Sequence, residues 1–213
     1  MTCDFSLEHY RDLLRAASSG GYSWAGFDRA PEGGEVILRH DVDLSLDAAL
    51  AVAEVEAEEG AWSTWFLMTR SSFYNLASTE GDRALARLRE LGHRIGHHGV
   101  YPHIDLDSRF DAVVAWHNPE PEFMQAEIPG VANVMREPFF DPERYRSDSN
   151  QHWRSGCPHE ELARGAFDWL QLLTHPEIWA FEGRTMRETM ESFLDADRAA
   201  RFELLRHDRI DLS

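Results

Sequence analysis

The sequence predicts an α/β protein built on a parallel sheet or barrel, and three observations carry that reading. Strand-like apolar runs alternate with helix-like runs at the rhythm of βαβ units. Polar, chemistry-bearing residues recur just after the strand-like runs, which is where parallel barrels gather their catalytic groups. A length of 213 residues with 43% hydrophobic and 11% aromatic content suits one domain with a sizeable core.

Taken in order, residues 6–18 read as an amphipathic helix with acidic residues, not as the basic start and apolar core of a secretion signal. After a Gly-rich connection, residues 35–40 (EVILRH) read as a buried strand. Residues 45–59 form the clearest helix, with Ser45 as its N-cap and Gly60 as its stop. Residues 63–68 (STWFLM) are a second strand, 83–91 a helix ended by Gly92, and 93–98 a third short strand. Residues 111–116 (DAVVAW) are strand-like and end at His117-Asn118-Pro119. A loop rich in Pro and Glu runs to about residue 128, and residues 144–149 lead into Ser147-Asp148-Ser149-Asn150-Gln151-His152-Trp153. A helix near 160–167, a strand at 169–173, the pair His175-Pro176 and a long terminal helix at 185–206 complete the chain.

Composition excludes several classes of function. A formal charge of -17 argues against a nucleic-acid or anionic-membrane surface and favours a neutral small molecule or sugar. All basic charge is arginine, because the chain has no lysine; Schiff-base, pyridoxal and P-loop chemistries are thereby excluded. Cys3 and Cys157 are too few for a disulfide framework and lack a paired-cysteine metal spacing. No apolar stretch approaches the length of a membrane span, and the expected compartment is the cytoplasm.

Two segments 50 residues apart concentrate the chemistry: Arg39-His40-Asp41-Val42-Asp43, and the run from His93 to His103 (HRIGHHGVYPH). In an extended strand residues i and i+2 face the same side, so Asp41 and Asp43 share one place. One such carboxylate can bind a cation while the other accepts a proton. His98 and His103 flank a loop that Gly99 and Pro102 favour. A carboxylate and two imidazoles suit zinc, with other divalent metals as alternatives. A plainer reading stands beside this one, since Asp43 and Ser45 also make a turn and helix-cap cluster. With 11 histidines in the chain, any single one is more often packed or solvated than a ligand.

The ordered set RHDVD, GHRIGHH, WHNP, SDSNQHW and LLTHP, spanning about residues 36–179, resembles the motifs of the polysaccharide deacetylase-like proteins, related to carbohydrate esterase family 4. The resemblance implies a distorted (β/α) barrel of about seven parallel strands that binds zinc or a similar metal and removes acetyl groups from N-acetylated sugars. It assigns Asp41 as catalytic base, Asp43 and His98 as metal ligands, His175 as the acid that protonates the departing amine, and Asp148 as a residue tuning base or acid. His93 falls in a structural position. The family's second histidine ligand would fall at Pro102, so His103 is the expected substitute. Where many members present an arginine on a middle strand, this chain presents His117.

Little room remains between residues 103 and 113 for the usual helix, which predicts a shortened βα unit and an incomplete barrel. Trp116, Phe139, Phe140, Trp153 and Trp179 are candidates to stack on a sugar, although core packing accounts for most such residues. The expected function is a metal-dependent hydrolase of a non-peptide C–N amide bond, acting on a soluble or carrier-linked N-acetylated sugar. The alternative is a catalytically silent carbohydrate- or metabolite-binding protein on the same barrel. An HD-type phosphohydrolase, helical throughout, fits EVILRH and STWFLM poorly.

Overall fold

The computed structural model describes residues 3–102 and 104–210. Helix α1 (Leu7–Ser19) opens the fold, with the Ser6 hydroxyl accepting from the His9 N–H, a standard N-cap. A short strand β1 (Ser23–Ala25) leads to β2 (Glu35–Val42), which is buried along its whole length. Then follow α2 (Leu46–Glu58), β3 (Thr64–Leu67), α3 (Thr79–Glu90) and β4 (Arg94–Gly99). Ser45 and Ser78 cap α2 and α3 through their side chains. Gly60 and Gly92 supply the positive φ at which the chain leaves these helices, +69° and +90°, a conformation that costs glycine little.

The second half is leaner. Strands β5 (Val113–Trp116), β6 (Ala132–Asn133) and β7 (Tyr145–Ser147) are joined through turns and single 3₁₀ turns. The chain continues through α4 (His159–Ala163), β8 (Trp169–Thr174), α5 (Pro176–Ala180) and the 22-residue α6 (Met186–His207).

Every strand pairing is parallel, in the order β6-β5-β4-β3-β2-β8-β7, with β1 beside the first half of β2. Seven strands thus curl into a half-barrel, and no ladder joins β6 to β7 among the described residues. Helices α4, α1, α2 and α3 pack side by side over the outside of the β8, β2, β3 and β4 arc. The other arc shows no such cover among the described residues, since those of 100–112 and 117–131 contain no α-helix. The shortened unit expected after residue 103 is therefore present, and two further units are reduced in the same way.

Alternation along the strands separates two apolar layers. Val36, Leu38 and Val42 of β2, Trp65 and Leu67 of β3, Ile95 of β4, and Leu170 and Leu172 of β8 face the helices in the large core. Ile37, Phe66, Val113, Ala115, Val134 and Phe139 face the interior of the half-barrel. Sequence periodicity placed most elements to within a few residues. Among the expected elements the clearest differences are α3, which starts four residues earlier at Thr79, α4, which ends four residues earlier at Ala163, and β2, which runs two residues further to Val42, while β1, β6 and α5 have no counterpart in the sequence reading. Both Asp41 and Val42 thus belong to the ladder with β3 and not to the following turn.

Candidate metal centre and acid-base cleft

The inward phase of four strands leads directly to the site. On β2 it runs Ile37, Arg39, Asp41 and then Asp43, one residue past the strand. On β4 it runs Gly96 and His98, on β5 Val113, Ala115 and His117, and on β8 Gln171, Leu173 and His175. Because all strands are parallel, the last member of each series arrives at the same rim. Gly96 is needed where β4 passes β3, since a Cβ there would stand 2.6 Å from Phe66 Cε1 and 2.8 Å from Val113 Cγ2.

At the rim three donors meet. Asp43 Oδ1 stands 3.1 Å from His98 Nε2 and 3.1 Å from His117 Nδ1, and the two nitrogens are 3.1 Å apart. Donors bound about 2.0–2.2 Å from a common ion stand about 3–3.5 Å from one another, depending on the coordination geometry. Oδ1 is buried and, despite these short distances, has no partner with hydrogen-bond geometry. A buried carboxylate oxygen left in that condition is costly unless something else engages it. On the far side of its ring His98 Nδ1 meets the Ala115 carbonyl at 3.0 Å, which places the proton on Nδ1 and leaves the Nε2 lone pair facing the centre. Asp43, His98 and His117 therefore form a group able to hold a metal ion.

Electrostatics agree with the geometry. Burial works against ionisation of Asp43, yet the His117 and His98 rings hold its carboxyl well below the usual carboxylate range. Contact with Asp43 raises His117 above the ordinary imidazole value, against the opposing effect of burial.

Asp41 lies behind this trio, its Oδ2 3.8 Å from His98 Nε2. Arg39, two residues back on the same strand, donates from Nε to Oδ1 at 2.8 Å and from Nη2 to Oδ2 at 2.7 Å. Arg39 is 1% exposed, and its guanidinium donates also to Gln171 Oε1 at 3.2 Å and sits 5.4 Å from the Phe66 ring centroid. Gln171 is fixed in turn by the Phe139 and Val134 carbonyls. Burial pushes Asp41 toward its neutral form, but Arg39 and then His98 outweigh it and hold the carboxyl below its ordinary value.

The fourth group is His175. Its Nδ1 meets Asp148 Oδ1 at 2.6 Å, and its backbone N–H donates to Asp148 Oδ2 at 3.0 Å. That second oxygen also accepts from the Trp179 indole at 2.7 Å. Burial disfavours the imidazolium, but the Asp148 carboxylate prevails and raises His175 to about 10. Beside it Glu177 is raised to about 8, chiefly by burial. Asp43, Met68, Phe73, His117, Ser149 and His175 border a cleft of about 310 Å³. A larger cavity of about 370 Å³, bordered by Arg39, Phe140, Tyr145, Arg146 and Trp153, opens on the unpaired side between β6 and β7 and shares Ser149 with the first.

No family model, curated protein or solved structure matches this chain. What can be said of the site therefore rests on its own residues.

Asp41, Asp43, His98, His117, Asp148 and His175, all expected from sequence, are brought to one rim. His103, expected as the third ligand, lies outside the described residues. His117, expected in the place of the family's arginine, stands beside Asp43 and His98 as the third donor of that group among the described residues. The arginine that lies against Asp41 is Arg39, which sequence reading passed over although its i, i+2 relation to Asp41 places both on one face. His93 is structural, as expected: it is buried behind β3, with its Nδ1 3.2 Å from the Ser63 hydroxyl and its Nε2 3.2 Å from the Ala53 carbonyl. Of the five aromatic candidates, Trp116, Phe139, Trp153 and Trp179 are buried, while Phe140 is partly exposed.

Proposed function

We propose that the chain is a metal-dependent hydrolase of a non-peptide C–N amide bond, with zinc as the ion and an N-acetylated sugar, free or carrier-linked, as the substrate class. The observation that carries this reading is the grouping, at one rim, of a three-donor metal group, an ionised carboxylate and a protonated histidine. A cation held by Asp43, His98 and His117 supplies Lewis acidity, lowering the pKa of water toward about 7 and polarising a carbonyl. Asp41 is the base that accepts the proton of the attacking water. A carboxylate has about four acceptor positions, and Arg39 occupies only two. His175 is charged at neutral pH and has its Nδ1 committed to Asp148, so Nε2 is the atom that delivers a proton to the departing amine. The ordered motifs resembling polysaccharide deacetylase-like proteins support the same roles for Asp41, Asp43, His98 and His175; the ligand role of His117 rests on the geometry alone.

Elemental analysis of protein purified without chelator tests the metal, alongside Asp43→Ala and His98→Ala. Zinc that falls by about one equivalent per chain in both variants is expected. Acetate release from a panel of N-acetylated sugars tests the reaction, with loss in Asp41→Asn and His175→Gln as the expected result. Protein that takes up no zinc at the Asp43 group defeats the hydrolase reading.

A second reading, a silent carbohydrate- or metabolite-binding protein, is favoured by one observation. Arg39 grips both oxygens of Asp41, which weakens it as a base. Metal-free protein that binds sugar by calorimetry yet releases no acetate when loaded with zinc would establish that reading instead.

A further inference from the structure

The chain's two cysteines, 154 positions apart in sequence, meet at the back of the molecule. Both are free thiols. Cys157 Sγ is 3.2 Å from His9 Nε2, and Cys3 Sγ accepts from the Trp153 indole at 3.4 Å. The two sulfurs and the His9 nitrogen lie within 4.8 Å of one another. Beside them His159, whose ring centroid is 6.0 Å from that of His9, carries a buried Nδ1 with no hydrogen-bond partner.

The surroundings hold these donors in place. Ser6 caps α1 and fixes the first turn that carries His9. Phe5 adopts φ +51°, a conformation a bulky residue rarely takes. Its ring is stacked 6.2 Å from Trp153 and lies 5.3 Å from Trp179. This packing turns the segment ahead of α1 back over the loop that precedes α4, which carries Cys157.

We propose that Cys3, His9 and Cys157 form a second metal site of soft character, for zinc or a similarly thiophilic divalent ion, with His159 as a candidate fourth ligand. Two thiolates and an imidazole select such ions over magnesium or calcium. The site is independent of the Asp43 group and of the proposed reaction. Its role is structural. An ion there ties the start of the chain to the loop before α4, and the His9 ring lies parallel to Trp179 at 6.2 Å, the same indole that donates to Asp148. The site thus braces the wall behind His175.

Cobalt titration of the full, reduced chain tests this directly, because thiolate ligation gives a near-ultraviolet charge-transfer band that an Asp-His-His group does not. The band is expected in the wild-type chain and in the D43A/H98A double variant, and is expected to be lost in C3S/C157S. Zinc should also slow alkylation of the two cysteines in the folded D43A/H98A protein by at least tenfold, a readout that holds even if C3S/C157S does not fold. Three results would overturn the proposal: no thiolate band in the wild-type chain, a band that persists in C3S/C157S, or alkylation at the same rate with and without zinc. A Cys3–Cys157 disulfide in protein isolated without reductant that reforms after reduction in the presence of zinc would also overturn it.

Discussion

Arg39 shows how much of this site rests on one side chain. It is buried, stacked over Phe66 and bound to both Asp41 oxygens and to Gln171. Replacing it with leucine keeps the bulk but leaves Asp41 as an uncompensated buried charge. Breaking such a pair typically costs about 3–5 kcal/mol. Urea unfolding of Arg39→Leu at neutral pH is expected to show a loss of this size, and a loss under about 1 kcal/mol would mean that water or another cation replaces the guanidinium. Asp148 plays the corresponding part for His175. In metal-free protein, Asp148→Asn should bring the His175 imidazole down from about 10 toward its ordinary value of 6.5, measurable by NMR titration of the ring. An unchanged midpoint would assign the shift to other carboxylates.

At the scale of elements, the half-barrel is tied to its helices by a polar group behind the site. Glu56 of α2 is fully buried. It accepts from the Tyr10 hydroxyl of α1 at 2.5 Å and from the Ser63 hydroxyl at 2.6 Å, and it meets His40 of β2 at 2.7 Å. His40 reaches β8 through the Thr174 hydroxyl at 2.7 Å and stacks on Trp65 of β3 with ring centroids 3.9 Å apart. One carboxylate therefore couples two helices to the strands that carry Asp41 and His175. Glu56→Ala strands several donors at once, and a destabilisation of about 3–5 kcal/mol is expected, visible as a lowered melting temperature with no direct change at the cleft. Gly96 makes the matching demand on the inner face. Gly96→Ala forces Phe66 and Val113 aside and should cost about 1–3 kcal/mol, with zinc uptake weakened because His98 lies two residues further along the same strand. Full stability in that variant would show that Phe66 can rotate away freely.

For the whole molecule, the raised groups set the pH dependence of stability. His175 and Glu177 both hold their protons more tightly when folded, to about 10 and about 8. Through these two groups the folded chain binds more protons than the unfolded chain from the ordinary carboxyl value upward, and their share of stability falls as pH rises. The Glu177 share is lost between about 4.5 and 8, and the His175 share between 6.5 and about 10. Asp41 and Asp43, held below their ordinary value, act in the other direction: their contribution is present above 3.8 and is lost as pH falls below it. Denaturation of metal-free protein across this range should show declining stability from mildly acid to alkaline pH. Glu177→Gln should flatten the lower part of that slope, and an unaltered slope would count against a raised Glu177. No helix among the described residues is long and apolar enough to cross a membrane.

Most elements were legible because their signals are local. Serine caps, glycine stops and apolar periodicity depend on residues within one turn or one strand, and the i, i+2 rule placed Asp41 and Asp43 together before any fold was known. The convergence of Asp43, His98, His117, Asp148 and His175 was also foreseeable, since parallel strands send their C-terminal ends to one rim. By itself, then, the sequence determined the α/β class, the run of strands and helices, the residues that gather at the rim and the shortened unit after residue 103. Only the tertiary structure decided how those residues pair. Cross-strand register, 15 residues of loop between β5 and β6 and the open side of the half-barrel decide that His117 lies 3.1 Å from Asp43. They decide equally that Arg39 grips Asp41 and that Cys3 reaches Cys157 across the chain. Contacts of that kind depend on distances between segments far apart in sequence, which no local pattern encodes.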